Sequence, residues 1–107
     1  PKPSSGRSIR EASVLFSVFT LDNPNAADKR KAVHGAHVEH LKNAKNYGVT
    51  ITVGGPLVSD DGANSIGSLM VLEASDRASA EKFNRADPFH QNGVWGTVDI
   101  RRFDRKE

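Results

Sequence analysis

Three histidines, His34, His37 and His40, recur at three-residue intervals in a sequence of 107 residues that holds four histidines and no cysteine. Neutral imidazole is both a common metal ligand and a proton carrier near neutral pH, so the triplet poses two chemistries. On a helix of about 3.6 residues per turn, consecutive members adjoin, but the outer two diverge by roughly 120°. Three imidazoles from one helix therefore cannot converge on a single ion, and a zinc site usually needs three or four ligands. No HExxH pattern and no second histidine cluster completes a set, so no metal is expected. Proton transfer asks for less: one imidazole, and a carboxylate that fixes its tautomer and supports its charged form. His37 is the candidate imidazole, because it stands on the helical face of Val33, Leu41 and Ala44, where leucine would be the ordinary residue. The candidate carboxylate is Asp87, in Ala86-Asp87-Pro88-Phe89. From the residues alone a plainer role is open to each. His37 could be a core histidine bonded to a backbone carbonyl, and Asp87 a helix cap.

Other chemistries are poorly supplied. Without cysteine there is no thiolate nucleophile, no thiolate metal site and no disulfide, which suits a reducing, cytoplasmic setting. Ser68 lies in Ile66-Gly67-Ser68-Leu69, far from a GxSxG elbow, so no hydrolase triad is expected. Gly54-Gly55-Pro56 does not open a helix and lacks a following Lys-Ser/Thr, so it is not a phosphate loop. It reads instead as a bulge-and-turn device, or as a place where a ligand approaches bare backbone.

The pI near 9.2 suggests nucleic acid until the charges are placed. Lys2, Arg7 and Arg10 give the first ten residues +3, the last seven carry +2, and residues 11–100 carry −3. The body is mildly acidic and the basicity sits at the ends. A nucleic-acid binder needs a basic stripe on the folded body with aromatics to stack bases, so no such partner is expected. No apolar run approaches the ~18 residues of a membrane span, and Pro1–Ser13 has no apolar core of a secretory signal.

These groups need a scaffold. Residues 1–11 read as a flexible basic leader and 12–107 as a single α+β domain. Residues 12–21 are β-branched and aromatic on both faces, as in a strand in the middle of a sheet. Asp22-Asn23-Pro24-Asn25 is a turn cluster able to cap a helix, and a long helix is expected over 26–46, ended by Gly48. Further strands are expected at 49–53, broken by Gly54-Gly55-Pro56, at 65–74 after a hairpin loop over 59–64, and at 94–103. A second helix spans 77–85, with one more turn at 88–91 behind Pro88. The order β-α-β-β-α-β is that of the ferredoxin-like split unit with a four-stranded antiparallel sheet. Helices on one side leave the other face bare. Val14, Val18, Leu69, Val71 and Trp95 are too apolar for that face to be wet, so a homodimer or higher homo-oligomer is expected.

The segments Asp28-Lys29-Arg30, Ala36-His37, Leu41, Gly54-Gly55-Pro56, Gly67-Ser68, Ala86-Asp87-Pro88-Phe89 and Gly93-Val94 fall in the order seen in the YciI-like (YCII-related domain) family. The resemblance covers about residues 13–104. It implies a dimeric α+β barrel of two face-to-face ferredoxin-like sheets, with a His–Asp active site that maps onto His37 and Asp87. Many members carry arginine three residues before the histidine. This chain has His34 there, with Arg30 one turn earlier on the same side, so Arg30, His34 and Ser68 are the expected substrate-orienting residues. The activity implied resembles dehydrochlorination of a chlorinated hydroxyquinol, and relatives of the fold include muconolactone isomerases and monooxygenases. The expected function is a small enzyme, independent of cofactors, moving protons on a small polar or aromatic-derived metabolite by elimination or isomerisation. Its rivals are a non-catalytic ligand-binding or stress-response module, and a structural dimer whose basic tails dock to an acidic partner.

Overall fold

The computed structural model describes residues 13–106, so the expected leader lies outside the described residues. Strand β1 (Val14–Asp22) does run through the middle of the sheet. It pairs antiparallel with β3 (Ser65–Ala74) on one side and with β4 (Trp95–Phe103) on the other, and β2 (Val49–Val58) pairs with β3 at the edge. Helix α1 (Ala27–Lys42) joins β1 to β2; α2 (Arg77–Arg85) and the single turn α3 (Pro88–Gln91) join β3 to β4. The fold is the expected ferredoxin-like βαββαβ arrangement with a four-stranded antiparallel sheet.

Local chemistry places the ends. Asp76 caps α2, its carboxylate accepting the Ser79 N–H at 2.8 Å, and the Ser79 amide and hydroxyl hold it below the usual carboxylate range. Gly48 adopts φ 72° after the first long connection, as expected for a left-handed terminator. The helix itself is shorter than expected: it stops at Lys42, and Ala44–Tyr47 winds as a 3-10 turn. The turn cluster at 22–25 provides no side-chain cap. Asn23 instead donates to the carbonyls of Gly93 and Trp95, tying the start of α1 to β4.

Two strand expectations need correction. Strand β2 is not broken by Gly54-Gly55-Pro56 but continues through it, with Gly54 opposite Met70, Gly55 opposite Leu69 and Pro56 opposite Ser68. Proline is tolerated there because β2 is an edge strand. The register shifts instead on either side of this stretch, between Ile51 and Val53 and between Leu57 and Val58.

The two faces of the sheet also differ in part from the expectation. Val14, Phe16 and Val18 stand opposite Ala74, Leu72 and Met70, and this side packs beneath the helices against Phe83 and Phe89. Val18 and Trp95 are buried there, and Val14 packs against the same core. The open side is the other parity: Leu15, Phe19, Leu21, Leu69, Val71 and Phe103. Of the five residues expected on the bare face, Leu69 and Val71 are on it.

Candidate functional site

Helix α1 has one buried residue, and it is His37. A histidine thus occupies the position where an aliphatic side chain would ordinarily anchor the helix to its sheet. Its Nδ1 lies 2.8 Å from Oδ1 and 2.9 Å from Oδ2 of Asp87, whose side chain is almost fully buried. A carboxylate only accepts, so Nδ1 carries the proton and donates it to Asp87. In the neutral imidazole this places the lone pair on Nε2, which has no protein partner among the described residues.

Asp87 both caps a helix and bonds the imidazole. Its Oδ1 accepts the Phe89 N–H at 2.8 Å, capping α3 behind Pro88, while the same carboxylate holds His37. The imidazole is further held flat against Phe89, the rings 3.9 Å apart and 7° from parallel, with Trp95 edge-on at 6.2 Å. A bond to a backbone carbonyl, the plainer partner open to His37, is made instead by the half-buried His40. His40 donates from Nε2 to the Phe83 carbonyl at 2.8 Å and stacks on the Phe83 ring. His34 is exposed, its ring 6.3 Å from that of His37. The three imidazoles therefore diverge, and no group of His, Cys, Asp or Glu among the described residues is arranged to hold a metal ion.

Arg30 reaches the sheet one turn before His34. Its Nε and one Nη bond both carboxylate oxygens of Asp22 at 2.8 and 3.2 Å, and the same Nη donates to the Gly67 carbonyl and the Ser68 hydroxyl. The guanidinium carbon also sits 4.7 Å from the centre of the Phe89 ring. Ser68 is buried, its amide bonded to the Thr20 hydroxyl. Gly67 admits no side chain, because a Cβ there would run into the Thr20 carbonyl. Asp22, a turn residue by sequence pattern, ends β1 and belongs to this cluster. The available signal was a carboxylate at the end of a strand, eight residues before an arginine on the following helix.

These groups share one cavity of about 510 Å3 between α1 and the β2–β3 edge, and Arg30, His34, His37 and Ser68 all line it. Asp87 does not line the cavity and lies behind His37. The Gly54-Gly55-Pro56 stretch forms part of the wall, so bare backbone faces the cavity as well as continuing the strand.

Fold and site together define a ferredoxin-like α+β protein with a buried imidazole–carboxylate pair opening on a cavity. The YCII-related domain model matches residues 14–104, and the chain belongs to that family. It is 28% identical over 96 residues to protein YciI of Escherichia coli, covering 86% of this chain and 98% of the relative. An uncharacterized protein of Haemophilus influenzae is 27% identical over the same length and shares. Among solved structures, 5-chloro-2-hydroxyhydroquinone dehydrochlorinase (TftG) of Burkholderia phenoliruptrix AC1100, in complex with 2,5-dihydroxybenzoquinone, is 26% identical with a TM-score of 0.76, covering 86% of this chain and 95% of that one. PA3566 of Pseudomonas aeruginosa shares the fold, at 12% identity and a TM-score of 0.53 over 89% of this chain and 95% of that one.

Proposed function

We propose that the chain is a small enzyme, independent of cofactors, in which His37 and Asp87 move a proton on a small polar or aromatic-derived metabolite, by elimination such as dehydrochlorination or by isomerisation. The observation that carries this reading is the His37 tautomer: Nδ1–H is committed to a buried carboxylate, and the basic Nε2 is left without a protein partner on a residue that lines the cavity. The likeness to a dehydrochlorinase of similar size adds support.

In an elimination, Nε2 accepts a proton from substrate, the electron pair of the broken bond forms a double bond, and the leaving group departs with its own pair. In an isomerisation, the imidazolium returns the proton to a different atom. Asp87 opposes the positive charge while the imidazole carries it. Arg30, Ser68 and His34 orient the substrate; the Arg30 guanidinium is already fixed by Asp22 and keeps one nitrogen without a hydrogen-bond partner among the described residues, open to an anionic oxygen. A cytoplasmic location fits a chain with no cysteine.

The test is a screen of halogenated hydroxyaromatics and unsaturated lactones, followed in D2O by NMR. We expect turnover, with solvent deuterium exchange at the reacting position, by the wild-type chain and neither by His37→Gln. Ligand binding that is unaffected by His37→Gln, with no turnover of any compound, would favour the non-catalytic ligand-binding module.

We also assign the open sheet face to a second copy of the chain. Leu15, Phe19, Leu21, Leu69, Val71 and Phe103 share that face, and Phe19, Leu21, Leu69 and Phe103 are each about two-fifths exposed there. A two-fold pairing presents this patch to itself and requires no other partner. The chain is expected to sediment at twice 11.6 kDa, and Leu69→Asp to shift it to monomer. A wild-type monomer at all concentrations would remove the pairing.

A further inference from the structure

The cavity has two chemically different halves. Along the first turns of α1 its wall is Arg30, Lys31 and His34, with Ser68 opposite on β3. From the following turn onward the wall is Val38 and Leu41, faced by Ile51 on β2 and Met70 on β3. His37 stands between His34 and Val38 on the helix, at the junction. Gly54 helps to keep the apolar half open, since a Cβ there would press on the Met70 and Ile51 side chains at 3.2 and 3.3 Å.

The charge of the polar half follows from its pairings. Asp22 offsets Arg30, and Asp87 faces His37. Lys31 is exposed and has no carboxylate partner among the described residues, and no acidic side chain lines the cavity. A ligand entering this half meets uncompensated positive charge, the unpaired guanidinium nitrogen of Arg30 and the Ser68 hydroxyl. The side chains of the other half offer only hydrocarbon and thioether surface. Sites of about 300–1,000 Å3 accommodate drug-sized ligands, so a cavity of about 510 Å3 has room for more than a single substituted ring.

We infer that this site takes an amphiphilic organic monoanion: an anionic head held by Lys31, His34 and the Arg30–Ser68 pair, and an apolar body larger than one ring against Val38, Leu41, Ile51 and Met70. The inference deepens the proposed function and rests on its reading of this cavity as the substrate site. It does not rest on proton transfer. Its chemical consequence is that the atom facing His37 is the one where head meets body, so the labile proton lies next to the acidic group rather than at the far end of the molecule.

Calorimetric titration of the full chain with butanoate, hexanoate, octanoate and octan-1-ol tests it, in the wild type and in His37→Gln. Affinity is expected to climb about fourfold per added methylene along the carboxylates. Octan-1-ol is expected to bind roughly tenfold more weakly than octanoate, as the loss of charge-assisted hydrogen bonds at the head predicts. Lys31→Gln, a change at an exposed helix position, should reduce that preference without altering the dependence on chain length. A flat response to chain length, or octan-1-ol binding as tightly as octanoate, would overturn the inference. The carboxylate series binding alike in wild type and His37→Gln, with no compound turned over, would uphold the inference while the proton-transfer reading falls. Turnover of a single-ring hydroxyaromatic that depends on His37, with the series flat, would uphold proton transfer and end the inference.

Discussion

Asp87→Asn is expected to lower turnover by about 10²–10⁴-fold with the fold intact. Asp87→Ala is expected to lose the same activity and also about 2–4 kcal/mol of stability. The difference comes from what each change leaves beside Nδ1 of His37. Both carboxylate oxygens lie within 2.9 Å of that nitrogen. Asparagine keeps one acceptor there and retains the means to cap Phe89, but replaces the second oxygen by an NH2 group that cannot accept. It also presents no negative charge when Nε2 takes a proton, so the imidazolium forms without its counter-charge. Alanine removes every acceptor from a position that is 1% exposed, orphaning the His37 N–H and uncapping α3 together. Steady-state rates and urea unfolding of the two variants check both halves. Unchanged turnover in Asp87→Asn would take the carboxylate out of the mechanism.

The elements were largely legible because their signals are local. The apolar run of β1, Gly48 after the long helix and Asp-Pro before α3 each act within a few residues, and each stands where the pattern placed it. The pairing of His37 with Asp87 was not legible from the residues alone, since fifty positions separate them and each has a sufficient local explanation. Family resemblance singled out the pair, and the fold brings it together. The carbonyl-bonded role fell to the half-buried His40, one turn on, because what decides between them is whether a carbonyl or a carboxylate lies opposite. The open face is not legible for a related reason. Alternation separates Val14 and Val18 from Leu15 and Phe19 but does not say which set meets the helices. For Trp95 the parity is further disturbed by the irregularity opposite Leu21 and Asp22. Continuation of β2 through Pro56 depends on that strand lying at the sheet edge, a property of the assembled sheet.

Arg30→Met is expected to destabilise the chain by about 3–5 kcal/mol, and adding Asp22→Asn to recover most of that loss. The side chains of the pair are 12% and 9% exposed, so removing the guanidinium leaves a carboxylate with little water to solvate it. It also strips the Gly67 carbonyl and the Ser68 hydroxyl of their donor. Methionine keeps much of the length and the contact with Phe89, which confines the loss to charge and hydrogen bonds. With Asp22→Asn present no buried charge remains unpaired, and the cost falls to that of a few neutral hydrogen bonds. Urea unfolding of the wild type, both single variants and the double variant closes the cycle. Stability losses that simply add would mean the two side chains do not act as a pair. The double variant also separates the two jobs of Arg30: the fold should return, but affinity for an anionic ligand should not, because the guanidinium nitrogen left without a partner in the wild type is still missing.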